Sequence, residues 1–198
     1  MVSFQDRKLF HLFSLEFLQS SKKKVEWHSL IWFPGRVPSA AFFLWLAVKQ
    51  RLGTQDRLFQ PAPWVLYHLC GTCLETHDHL YFGCATTKQI WTRILHKGNF
   101  YTPNIPWKEL VSWMATHWQG NSFSTTIKKL CLAITVYQIW KERNSRFHTN
   151  SVHTTEDLFC SISEQIRLKL STFNHVEGNH QNRINQTLWS LSNRIFGP

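Results

Sequence analysis

Acidic side chains are scarce in this sequence. Twelve Asp and Glu stand against 22 Lys and Arg, a formal net charge of +10 over 198 residues. Only four are Asp, at positions 6, 56, 78 and 157, and none are adjacent. Polymerases, nucleases and many phosphoryl-transfer enzymes gather carboxylates around metal ions, and this chain has little to build such a centre from. It also lacks a Gly-rich phosphate loop, a His-Glu-x-x-His helix and a Gly-x-Ser-x-Gly elbow. These absences argue against an enzyme and against a small-molecule substrate. No run reaches the ~20 apolar residues that span a bilayer. The longest, Ala40 to Val48, is closed by Lys49 and Arg51. Near the start, Glu16 and His11 interrupt the apolar stretch and no small-residue cleavage site follows it. Leu9, Phe10, Phe13 and Phe17 suit one face of a short helix instead. The chain is read as intracellular, with no membrane partner and no internal repeat.

What is present is apolar and aromatic. Apolar residues make up 43%, with 15 Phe and 10 Trp, so a real core can form. The excess of positive charge attracts polyanions, of which nucleic acid is the commonest. Patterning predicts a mainly α fold. Residues 1–24 read as a helix and linker. "VEWHSLIWFPGRVPS" reads as extended and turning, because Pro34-Gly35 and Pro38 punctuate it. Ser39 can cap the helix "AAFFLWLAVKQRL", which Gly53 ends. Thr86 or Thr87 starts the next helix, with Ile90, Trp91, Ile94 and Leu95 on one side and Gly98 as its stop. Pro106 opens a helix through Trp118. The longest helix runs roughly from Thr125 to His148. "TTEDLFCSISEQIRLKLSTF" has acids in its first turn and bases near its end, the favoured dipole order. Residues 176–198 read as a flexible tail with a short helix over Ile184 to Leu191.

Three of the five cysteines fall between positions 70 and 84, spaced Cys70-x2-Cys73-x5-His79-x4-Cys84. Thiols of an intracellular protein stay reduced, so such clustering points to metal rather than disulfides. A Cys-x2-Cys pair lets two sulfurs face one point across a tight turn, which Gly71 and Thr72 suit. His79 and Cys84 can complete the tetrahedron. Three thiolates and one neutral imidazole make a closed Zn²⁺ shell that leaves no position for water, so the expected role is structural. His77 and His68 are alternative ligands; spacing and the apolar anchor Leu80-Tyr81-Phe82 favour His79. Asp78 can orient an imidazole as an acceptor. Cys131 and Cys160 each stand alone on a helix and read as core thiols.

Several strings agree beyond the cluster. "WHSLIWFPGRVPSAAFFLWLAVKQRLGTQDRL" carries the Trp45-Leu46 pair and the set Leu52, Thr54, Asp56, Arg57 and Leu58. "CGTC" and "ETHDHLYFGCATTKQIW" follow, with Glu75-Thr76, His79-Leu80-Tyr81-Phe82, Cys84 and Trp91. Downstream, "IWKERNSRFH" supplies Trp140, Glu142, Arg143 and Asn144. This ordered set resembles the zinc-binding domain that follows the reverse transcriptase in plant LINE-type (non-LTR) retrotransposons. The close part covers about residues 25–97. The resemblance implies a zinc-binding domain over 25–100, a helical C-terminal region over 101–175, and His79 as the ligand. Ser39-Ala40-Ala41 departs from it, since a basic residue often follows the Pro, and no polymerase, endonuclease or RNase H part is seen.

The resulting expectation is a non-catalytic zinc module that binds RNA or DNA. Arg51, Arg57, Lys88, Arg93 and Lys97 flank the cluster and suit phosphates as a group, and Trp91 or Tyr81 suits stacking on an unpaired base, although taken one by one the aromatics read as core and the basic side chains as solvated. A structural or protein-interaction module is the second reading, and a degenerate retroelement fragment the third. Nuclear residence is implied by the resemblance alone.

Overall fold

The computed structural model describes residues 25–54, 56, 69–71, 75–149 and 151–197. The short N-terminal helix read over residues 1–20, together with Arg57, His68 and Cys73, lies outside the described residues. The described part is helical, with no strand among its elements, in agreement with the mainly α expectation. In chain order it contains α1 (His28–Ile31), α2 (Pro38–Val48), a wide turn (His79–Gly83), α3 (Ala85–Gly98), α4 (Trp107–His117), α5 (Phe123–Thr149), α6 (Thr155–Leu170), α7 (His180–Leu188) and a 3-10 turn (Asn193–Phe196).

Helix α5 forms the axis of the molecule. Seven consecutive residues, Leu130 to Val136, are buried, so helices cover it on every side. A helix apolar all round belongs in the middle of a core. Helix α2 packs on one side of it and α6 on another. Leu158, Ile162, Ile166 and Leu170 form the buried stripe of α6 at four-residue steps. Thr154 caps α6: its hydroxyl accepts from Asp157 N while the Asp157 carboxylate accepts from Thr154 N, both at 3.1 Å. Helix α4 buries Trp107, Leu110, Val111, Met114 and Ala115. The Trp107 indole N–H donates to Ala47 O at 3.2 Å, which pins α4 to the end of α2.

Three segments differ from the sequence reading. Residues 28–31 form a helical turn where extended chain was expected, because Trp27, Leu30 and Ile31 fall at helical spacing and Leu30 and Ile31 are fully buried. Helix α2 stops at Val48, ahead of Gly53, as Lys49 caps it. In residues 176–197, expected as a tail with a short helix over Ile184 to Leu191, the helix begins earlier, as α7, and Asn185 Nδ2 donates to Ser124 Oγ at 2.8 Å, which ties α7 to the start of α5. Trp189 is 1% exposed and Ile195 2%. Burying these two side chains contributes roughly 1.5–3 kcal/mol each, a gain the polar composition of the segment conceals.

Candidate metal centre

The metal loop lies in sequence between α2 and α3; its described residues are 69–71 and 75–84, and its closing turn packs against α3 and α5. Gly71 adopts φ +68°, the left-handed turn that a Cys-x2-Cys opening requires. The wide turn then reverses the chain through Tyr81 (φ −101°, ψ 88°) and Phe82 (φ 74°, ψ 2°). Gly83 has a steric reason: a Cβ there would lie 2.4 Å from Asp78 O. Cys84 N donates to His79 O at 2.7 Å, closing the turn so that His79 and Cys84 face the same point. Thr76 Oγ1 accepts from His79 N at 3.1 Å and fixes where the imidazole leaves the backbone.

Cys70, His79 and Cys84 meet there. One donor atom from each lies within 4.8 Å of the others, and Cys70 Sγ is 3.3 Å from His79 Nε2. A tetrahedron with Zn–S near 2.3 Å and Zn–N near 2.0 Å has an S···N edge of about 3.5 Å. Cys84 is fully buried, and Cys70 and His79 are half-buried. Burial pushes the Cys84 thiol up; the backbone N–H groups of Thr87 and Thr86 pull it part of the way back, and the adjacent Cys70 thiol adds to the rise. A bound cation reverses that balance by favouring the thiolate. Soft thiolates with an imidazole suit Zn²⁺, which Cys70, His79 and Cys84 would hold.

The competing histidine is engaged elsewhere. His77 is buried, with its Nδ1 3.1 Å from Thr54 Oγ1. Asp78 does not orient an imidazole: Oδ1 accepts from Trp107 N at 3.1 Å and so satisfies an orphan donor at the start of α4. Cys131 is fully buried, and burial pushes its thiol well above the usual range. Cys160, in contrast, is an exposed residue of α6, and its thiol lies 3.4 Å from Glu156 Oε1. It occupies the outer side of the helix, off the stripe set by Leu158 and Ile162.

The C-terminal half of α5 grips the metal loop. The Arg143 guanidinium pairs with Glu75, Nε donating at 3.1 and 3.0 Å and Nη2 lying at 2.9 Å. Glu75 is fully buried, and Arg143 Nη2 also donates to Gly53 O at 3.3 Å. One turn later Arg146 Nη1 donates to Leu69 O at 3.2 Å, directly before Cys70. Glu142 holds Arg146 in place at 2.7 Å and accepts from His153 N at 2.9 Å. Burial opposes ionisation of Glu142, but Arg146 and His153 outweigh it and hold the carboxyl below the usual range. Composition and periodicity do not reveal this clamp. Its signal was the paired strings, since Glu75 and Arg143 each sit inside a quoted motif.

The basic side chains divide. Arg93 is taken by Glu156, at 2.6 and 3.0 Å, and lies 3.8 Å over the Phe159 ring, joining α3 to α6. Arg51, Lys88 and Lys97 make no ion pair among the described residues. Arg51 and Lys88 are exposed, and Lys97 lies 5.4 Å over the Trp189 ring. Trp91 and Tyr81 are 4% and 2% exposed and offer no open stacking face. Phe82 stacks on Trp91 at 4.5 Å, and the Trp91 N–H donates to Thr102 Oγ1 at 3.1 Å. No helix among the described residues is long and apolar enough to cross a membrane.

No curated protein and no solved structure matches the chain. Residues 12–91 match the family model described as zinc-binding in reverse transcriptase, so the stretch carrying Cys70, His79 and Cys84 is similar to a reverse-transcriptase zinc-binding domain.

Proposed function

We propose that this chain is a non-catalytic, structural-zinc module derived from a plant LINE-type retrotransposon reverse transcriptase, and that it binds template RNA or target DNA. Cys73 serves as the fourth ligand beside Cys70, His79 and Cys84. A shell closed by three thiolates and one imidazole holds the loop and leaves no site to activate water. The observation that carries the binding reading is the uncompensated positive charge on exposed side chains that flank the metal loop in sequence. Arg51 and Lys88 are exposed without an ion pair among the described residues, in a chain of net charge +10. Such charges gain affinity by releasing counterions from phosphates. Arg93 contributes less, because Glu156 already neutralises it.

The test is binding of single-stranded RNA, single-stranded DNA and duplex DNA to the zinc-loaded chain across a salt series. The expected result is a linear fall of log K with log salt, at about −0.7 per neutralised phosphate for single strands. Binding that is absent at low salt would overturn the reading and favour a structural or protein-interaction role.

A further inference from the structure

A cleft of about 450 Å³ opens beside the metal loop, between α3 and the chain that leads into α4. Its size lies within the range of small-ligand pockets. Trp91, braced by its stack on Phe82, lies at its base. Leu95 and Ile105 line it as half-buried apolar side chains, from α3 and from the following loop. This suits a flat ring slid between them. The polar groups are of two kinds. Lys88 is exposed and makes no ion pair among the described residues, so it offers a cation to an anionic group. Asp78 spends Oδ1 on Trp107 N, and its second oxygen can accept from an N–H at the edge of a ring.

Each feature removes a class of ligand. A purely apolar ring makes no use of either charge. A fatty-acid or lipid anion brings no N–H for Asp78. A flat heteroaromatic ring carrying both an N–H edge and a phosphate uses all of them. We propose that this cleft takes one nucleotide, its base between Leu95 and Ile105 and its phosphate toward Lys88, and that the nucleotide belongs to a single strand. The inference rests on the nucleic-acid reading above and deepens it. It places a single base in a slot, where the buried Trp91 and Tyr81 cannot act as an open platform.

The test compares wild type with Thr92→Trp and Lys88→Gln. Thr92 is an exposed residue of α3 that lines the cleft, so an indole there fills the slot without disturbing the core. Zinc content and helicity are checked first. The probes are a labelled single-stranded oligonucleotide of about 12 nucleotides and, separately, adenosine and guanosine monophosphates. Thr92→Trp is expected to weaken the oligonucleotide about tenfold through loss of one base contact, and Lys88→Gln about threefold. Monophosphates that bind with the same sensitivity, when the strand does not bind, would keep the nucleotide site but make a free nucleotide the ligand, and the strand reading would fall. A strand bound equally by wild type and Thr92→Trp would overturn the cleft proposal and leave the proposed function standing. No binding of either probe overturns the cleft proposal, and the proposed function falls with it if duplex DNA also fails to bind.

Discussion

The metal loop and helix α5 lie against each other yet are stabilised in opposite ways. Helix α5 buries an unbroken run from Leu130 to Val136, and its neighbours α2 and α6 supply apolar faces for it. Its stability follows from packing. The metal loop buries polar groups beside its apolar anchors: Glu75 and Cys84 are fully buried, and His77 is 5% exposed. Such groups cost free energy unless something satisfies them. Arg143 satisfies Glu75, Thr54 lies in hydrogen-bond contact with His77, and a metal would satisfy the thiols. The difference teaches that a short loop which buries polar groups beside its apolar anchors Leu80, Tyr81 and Phe82 needs cross-links as well as area, whereas a long buried helix is held by area.

Removing a ligand should separate the two regions most sharply. Cys84→Ser, or Cys73→Ser, is expected to take metal content from about one zinc per chain to near none, since the shell no longer closes. Helicity from α5 and α6 should persist, read by far-UV circular dichroism beside metal analysis. Unchanged zinc stoichiometry would show that the cluster is not the site. The clamp comes next. Arg143→Met strands a buried carboxylate and should cost about 3–5 kcal/mol in urea unfolding, whereas Glu75→Leu with Arg143→Met should recover most of it. Arg143→Met should also loosen zinc about tenfold, because the loop loses its outer support. No change in zinc affinity would mean that α5 steadies the body alone.

Acid tests the same join more gently. The Glu142 carboxyl is held below its ordinary range in the folded chain, so it contributes stability above the unfolded value. That contribution is lost as pH falls through its folded value. Wild type should therefore lose more stability than Glu142→Gln as pH falls through the carboxylate range. Parallel acid titrations of the two chains would count against the network. The smallest effect on zinc is expected at His77→Ala. It empties a buried site and forfeits the contact with Thr54, which costs folding stability, but it leaves zinc affinity within about threefold. His79→Ala should instead behave like the cysteine variants. The reverse pattern would exchange the two histidines.

Much of the fold was legible locally. The four-residue step of Leu158, Ile162, Ile166 and Leu170, the acids after Thr154, and the run from Thr125 to His148 each announce a helix without reference to neighbours. Cys70, His79 and Cys84 were legible as spacing, because metal geometry constrains how far apart ligands fall in a short loop. Cys160 was misplaced because a lone cysteine on a helix gives no indication of which face is covered. Asp78 was misassigned for a similar reason. Its proximity in sequence to His79 suggested a partner, but its Oδ1 accepts from Trp107 N at the start of α4, 29 residues away.

The sequence by itself determined the helical class, the metal-ligand spacing and the sign of the surface charge, since each depends on residue type and short-range order. Tertiary structure alone decided which basic groups stay unpaired among the described residues and that Trp189 folds back onto the body. It also decided that Arg143 closes on Glu75 across 68 residues of chain. Those outcomes depend on where distant segments meet, and no local pattern carries that information.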